Sequence, residues 1–194
     1  MPTIMTHAVV GAGLGAIVTR FRGLPPLFWV LCAGLSMLPD IDVVAFWLRI
    51  PFTSVWGHRG LSHSLAAAAG TSAIAAAIVR RRIPLSPWRL GACFFVAMAS
   101  HGLLDALTNG GPGVAFFAPF DTTRYFFPVR PVLVSPIGLG FFSRWGLRVI
   151  ESELLWIWLP LAGFVIAGAA TLYRAGESPH RPPPSQERNG GDDG

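Results

Sequence analysis

Apolar residues along this chain come in long runs, not in the alternation of a half-buried strand. Five runs stand out: about 5–19 (MTHAVVGAGLGAIVT), 24–39 (LPPLFWVLCAGLSMLP), 61–79 (LSHSLAAAAGTSAIAAAIV), 88–107 (WRLGACFFVAMASHGLLDAL) and 154–173 (LLWIWLPLAGFVIAGAATLY). A membrane-crossing helix needs roughly 20 such residues, with a range of about 17–25. The pattern predicts an all-α, polytopic membrane protein with about five apolar helices in a bundle. The first two runs are short and are expected to be tilted, partly re-entrant or covered by neighbours. A further apolar patch at 43–52, VVAFWLRIPF, is too short to span and is expected at the interface. Residues 1–174 make one membrane-embedded domain. From Ala175 the chain reads AGESPHRPPPSQERNGGDDG, and its Pro, Gly and polar residues predict a disordered tail over 175–194.

The segments GAGLGA in the first run and AAAAGTSAIAAA in the third are rich in small residues. In lipid such residues let helices approach closely. GAGLGA is not a dinucleotide fingerprint, because no βαβ pattern surrounds it. Composition agrees with a membrane setting. Hydrophobic residues make up 52% of the chain and charged residues 13%, against about 25% charged in a soluble domain; mean hydropathy is +0.52. The first nineteen residues lack a charged leader and are expected to be a retained membrane segment. Cys32 and Cys93 stand alone inside apolar runs, without metal-site spacing.

The charge is carried by arginine alone: all fifteen basic residues are Arg, for a net charge of +5. They lie between apolar runs, with no basic stripe, which argues against a nucleic-acid partner. Arg20 and Arg22 follow the first run, Arg80, Arg81, Arg82 and Arg89 separate the third and fourth, and Arg174, Arg181 and Arg188 follow the fifth. In an alternating chain these clusters share one side, which the positive-inside rule makes cytoplasmic. The loop 40–60 and the connection 106–153 then face outward. The expected location is the bacterial inner membrane, with any site on the extracytoplasmic side.

On that drawing the polar side chains in the apolar runs converge. His7 lies at the outer end of the first run, Asp40 and Asp42 (PDID) at that of the second, His58 and His63 (HRGLSHS) at the start of the third, and His101 and Asp105 (SHGLLDALTNGG) at the end of the fourth. His101 and Asp105 are four apart, so a helix puts both on one face. Each pair has a blander reading alone: an Asx turn for PDID, a helix start for HRGLSHS, a hydrogen bond for His101 and Asp105. Together they do not, because ionisable groups at membrane depth are costly and usually functional. Histidine with aspartate, without cysteine, suits zinc, with manganese or iron as alternatives. Seven candidate ligands are too many for one tetrahedral ion; a two-metal cluster with a shared carboxylate fits the count, and a single ion is the alternative. His180 lies in the tail and is given no role.

The order His7, PDID, HRGLSHS, SHGLLDALTNGG, Pro119–Phe120 and RYFFP resembles the LexA-regulated, membrane-bound metal-dependent hydrolase family, the YdjM-like proteins, over about residues 5–130. Ser62 stands where family members commonly carry threonine, and the hydroxyl is kept. The family is also distantly similar to zinc-dependent bacterial phospholipase C, which has a His-x-x-x-Asp pair like His101 and Asp105. The resemblance implies a helical membrane hydrolase. The chemistry expected is metal-assisted hydrolysis of an ester or phosphoester, with a membrane lipid as the leading substrate class. Asp40 or Asp42 is the candidate general base. Arg59 is the candidate phosphate holder through its bidentate fork, or else a headgroup anchor. Arg124 and Arg130 come second for that role, and Asn109 is a candidate support for the ligands. The alternative function is a metal transporter or metal-binding membrane protein without hydrolytic activity. A Ser/His/Asp hydrolase has less support, because there is no GxSxG elbow.

Overall fold

The computed structural model describes residues 1–20, 23–136 and 138–176; the tail expected at 175–194 falls, apart from its first two residues, outside them. Among the described residues there is no strand, only two isolated bridges, Thr108–Val132 and Val114–Tyr125. The helices are α1 (Ile4–Val18), α2 (Pro26–Met37), α3 (Val44–Trp47), α4 (Leu65–Val79), α5 (Pro87–Ala106), α6 (Arg144–Glu153) and α7 (Leu159–Gly176). A 3₁₀ stretch, Leu38–Val43, joins α2 to α3, and a π-helical stretch, Leu154–Trp158, joins α6 to α7.

Among the described residues, two continuous helical runs are long and apolar enough to cross a membrane: Pro26–Trp47, of 22 residues, and Arg144–Tyr173, of 30. Helix α1 and helix α4 are apolar but have 15 residues each. The patch at 43–52, expected at the interface, supplies α3 in its first half and so lengthens the second run. The fifth run begins ten residues earlier than its hydropathy indicated. Its added turn, RWGLRVIESE, is amphipathic and buries Val149 and Glu153.

Local signals set the helix starts. Thr3 caps α1 by accepting from the Thr6 amide, and Ser64 caps α4 by accepting from the Ala67 amide. Proline opens α2 and α5 at the first turn, where its missing N–H costs nothing.

The core lies between α2, α4 and α5, where Phe28, Cys32, Leu35, Ala68, Leu90, Phe94 and Ala97 are buried together. Helix α1 joins it through Gly11. A Cβ there would come 2.6 Å from the Cys32 carbonyl oxygen, so only glycine lets α1 lie this close to α2. Helix α7 runs beside α1: Thr6 meets Trp158 and Gly13 faces Leu161. Most of its remaining surface is apolar and exposed, as at Phe164 and Ile166, which is what a lipid-facing helix presents.

The two ends of the bundle differ. At one, Arg20 and Arg89 line a common pocket, and Arg80 lies beside Pro87 and Trp88. The other end gathers the start of α1, the PDID turn, the start of α4 and the end of α5, with exposed Trp47, Trp56 and Trp145 among its aromatics.

Candidate metal centre

All seven candidate ligands lie at that second end, and all but Asp42 are fully or nearly buried. Their backbone is placed by three devices. PDID is wound as a 3₁₀ stretch, which brings Asp40 inward and leaves Asp42 only partly exposed. Gly60 precedes a short 3₁₀ turn, Leu61–His63, that delivers His63 ahead of α4. The i, i+4 spacing on α5 aims His101 and Asp105 the same way, and both are 0% exposed.

Asp40, His63, His101 and Asp105 each present one donor atom, all within 4.8 Å of one another. The Nε2 atoms of His63 and His101 are 3.0 Å apart. His101 Nε2 lies 3.2 Å from Asp40 Oδ1, and His63 Nε2 lies 3.5 Å from Asp105 Oδ2 and 3.9 Å from Asp40 Oδ1. A tetrahedral zinc site with ordinary bond lengths has ligand–ligand edges of roughly 3.3–3.6 Å. The observed set spans that range.

The tautomers sharpen the point. His101 Nδ1 is 2.7 Å from the Ser36 carbonyl oxygen. A carbonyl can only accept, so Nδ1 carries the hydrogen and Nε2 of the neutral ring is bare. His63 Nδ1 is 3.1 Å from Asp42 Oδ2 and 3.0 Å from the Ser62 hydroxyl, and that hydroxyl donates to Asp42 Oδ2 at 2.5 Å. His63 Nδ1 must therefore donate as well, and in the neutral ring its Nε2 is bare too. Two nitrogens facing each other at 3.0 Å need either a proton or a metal ion between them.

The remaining polar atoms agree. Both oxygens of Asp40, both oxygens of Asp105 and both ring nitrogens of His7 are buried without a hydrogen-bond partner, which would be costly in an empty pocket. His7 stacks on His101, ring centroids 3.7 Å apart, and its Nε2 is 3.6 Å from Asp105 Oδ1. Asp40, Asp42 and Asp105 gather three carboxylates around Arg59, an excess of negative groups that suits a cation. The donor set therefore fits a divalent metal.

Asp42 and His58 stand outside the four-donor set, although both can be grouped with Asp40 and His63 as a second potential set. His58 Nδ1 donates to Asp42 Oδ1 at 2.6 Å, a hydrogen-bond distance, and Asp42 Oδ2 also accepts from the Arg59 amide at 3.1 Å. With Ser62 and His63 this gives Asp42 four partners, the pattern of a carboxylate that orients a metal-binding imidazole.

Arg59 is 1% exposed, so it does not reach a lipid headgroup. Nor is its fork open for a phosphate. Nε lies 2.9 Å from Asp105 Oδ2, close enough for an ion pair though misaligned for a hydrogen bond. The two terminal nitrogens donate to Gly110 O at 2.9 Å and to Thr108 Oγ1 at 3.2 Å. Its backbone is left-handed, φ 63°, a strained conformation held by these contacts. Arg124, the second candidate, donates to the backbone carbonyls of His58, Arg59, Gly113, Phe52 and Ser54. Burial, and then the like charge of Arg59, lower its pKa from the ordinary arginine value. Arg130 stacks over Phe126 at 4.6 Å. Asn109 accepts from the Val134 amide and closes a loop rather than touching a ligand.

Two contributors carried no signal in the residue pattern. One is the Ser36 carbonyl, a backbone atom. The other is Glu153, 2% exposed, which accepts from the Thr3 amide and from the hydroxyls of Thr3 and Thr6. It ties the first turn of α1, and so His7, to the α6–α7 helix. Its place at the seam of an amphipathic and an apolar run was the available clue.

Comparison with known proteins fixes the setting. Residues 1–177 match the YdjM inner membrane protein family. The chain belongs to that family. It is 38% identical over 173 residues to "Inner membrane protein YbcI" of Escherichia coli (strain K12), covering 87% of this chain and 96% of the relative. No solved structure gives a significant match. The YdjM-like resemblance of the motifs is thereby established for the whole chain outside the tail, and the setting is the inner membrane.

Proposed function

We propose that this chain is a multi-pass inner-membrane hydrolase with a single divalent metal, zinc in the first instance, held by His63, His101 and Asp105 on the extracytoplasmic side. The observation that carries this reading is the buried convergence of Asp40, His63, His101 and Asp105 within 4.8 Å, with each imidazole Nδ1 engaged by a hydrogen bond and its Nε2 turned to the centre. Once bound, the ion would polarise an ester or phosphoester and acidify water. Asp42 and the Ser36 carbonyl hold the two imidazoles in the donor tautomer. Arg59 offsets part of the carboxylate charge and fixes the rotamer of Asp105. Asp40 is the general base: its oxygens are free of protein hydrogen bonds and it also lines an apolar cavity, so it stands between the donors and any substrate. His7 packs the far side of His101.

Transport without hydrolysis requires polar groups along a route through the bundle. Between residues 8 and 39, 64 and 100, and 154 and 176 the chain has no His, Asp or Glu. The donors therefore lead nowhere, which favours chemistry over passage. Metal analysis of protein purified in detergent, paired with a panel of phosphate esters and phospholipids, tests the reading. About one zinc, manganese or iron per chain with turnover of one ester class is expected. Metal-free protein that cannot be loaded would refute it.

A further inference from the structure

The first turn of α1, the PDID turn and the loop before α6 enclose a cavity of about 330 Å³, at the small end of the range of about 300–1,000 Å³ for ligand sites. Met1, Met5, Val43, Pro136 and Phe141 line it, and Asp40 is its one charged side chain, with the Met1 amino group the other ionisable group. It is partly open to the outside, and Ile4 and Phe142 beside it are 52% and 83% exposed. A second apolar cavity, of about 350 Å³ between Leu65, Leu103 and Phe117, includes none of the metal donors.

We propose that the cavity beside Asp40 is a binding site for one acyl chain of a bilayer lipid, so that the substrate reaches the metal donors sideways from the membrane. Three observations carry this. The wall is apolar, and two of its residues are methionines, whose flexible side chains adapt to chains of varied shape. The mouth is continuous with exposed apolar surface in an inner-membrane protein. Finally, Asp40 belongs both to the cavity and to the donor set, lying 3.2 Å from His101 Nε2, so a chain seated here would put its head end at the reacting groups. The run Pro26–Trp47 carries Asp40 roughly two turns inside its outer end. That depth suits access from lipid better than access from water. The inference rests on the hydrolytic reading for its meaning, but lipid occupancy is measured separately.

The test uses the full chain in vesicles of phosphatidylethanolamine and phosphatidylglycerol, doped with phosphatidylglycerol carrying a diazirine on one acyl chain. After irradiation, peptide mass spectrometry maps the adducts. Adducts at residues 1–5, Val43 and Phe141 should exceed those at lipid-facing Phe164 and Ile166. Val43→Trp, which fills the cavity, should cut the first set at least tenfold while leaving the second set and the metal content unchanged. Met5→Trp, at the mouth, is the second variant should the first fail to fold. Equal labelling of all lipid-facing positions, or cavity labelling that neither variant reduces, overturns the proposal. Cavity labelling in protein that binds no metal would sink the metal reading and leave the lipid site standing; bound metal without cavity labelling does the reverse.

Discussion

Asp42→Asn separates the two roles that a carboxylate can have beside a metal. Asp42 accepts from His58 Nδ1, the Arg59 amide and Ser62 Oγ, and it faces His63 Nδ1. Asparagine keeps the shape but has one acceptor oxygen, and its NH₂ would confront donors. Whichever way the amide turns, either the His58 contact or the contacts to Arg59, Ser62 and His63 are lost. His63 is then free to move its hydrogen to Nε2, the atom needed as a ligand. Loss of such an orienting partner typically costs about 10–100-fold in metal affinity, or roughly 1.4–2.7 kcal/mol. Removal of a ligand such as Asp105, which also leaves Arg59 buried and unpaired, should cost more.

The assay is a chelator-competition titration of zinc on purified Asp42→Asn, Asp105→Ala and wild type, at one pH and with folding checked by circular dichroism. Graded loss is expected: wild type tightest, Asp42→Asn weaker by one or two decades, Asp105→Ala without measurable binding. Wild-type affinity in Asp42→Asn would show that the tautomer lock does no work. Complete loss equal to that of Asp105→Ala would make Asp42 a ligand and restore the two-metal alternative.

Other perturbations probe the remaining parts. His101→Ala should abolish both bound metal and hydrolysis with insertion intact, whereas a change at His180 should do neither; full metal and turnover in purified His101→Ala would refute the centre. Asp40→Asn should retain metal within about tenfold yet lose at least 10²-fold in turnover, as expected for a general base; proportional loss of both would make Asp40 a ligand. Gly11→Val should force α1 from α2 at the Cys32 carbonyl, displacing His7 and lowering thermal stability by about 1–3 kcal/mol, read as the detergent melting temperature; an unchanged melt would show that the close approach is not needed. Cysteine placed at position 55 should react with an impermeant reagent in intact cells and cysteine at 180 should not; the opposite pattern would put the site in the cytoplasm.

The residues at the centre were legible because the membrane makes polarity rare. In a chain with 13% charged residues, His7, PDID, HRGLSHS and SHGLLD stand out against their surroundings, and the structure gathers them at one end. The helices agree with those runs to within a few residues, except where chemistry other than hydropathy decides the ends. PDID continues the second run through a 3₁₀ stretch in which Asp40 is buried toward the donors and Asp42, partly exposed, meets its four partners. The last run starts at Arg144 because an amphipathic turn has only one face to bury, which averaged hydropathy cannot register.

The division of labour among the seven residues was not legible, and the reason is geometric. Sequence spacing treats Asp40 and Asp42 as equals, and an extended PDID would aim both at one point. Wound into a 3₁₀ turn, the two carboxylates take different partners, although an oxygen of each stays within 4.8 Å of the other. Asp40 keeps its oxygens unpartnered toward His101 and the cavity, while Asp42 turns to the HRGLSHS loop and becomes its acceptor. The same winding changes Arg59. Its amide goes to Asp42, its backbone is left-handed and its guanidinium is drawn inward to Asp105. A charge that composition would send to the lipid headgroups is thereby fixed among carboxylates, where it offsets part of their negative charge. A centre with three carboxylates, two imidazoles turned toward each other and an apolar cavity on its exposed side is built to draw in a cation and an uncharged chain together.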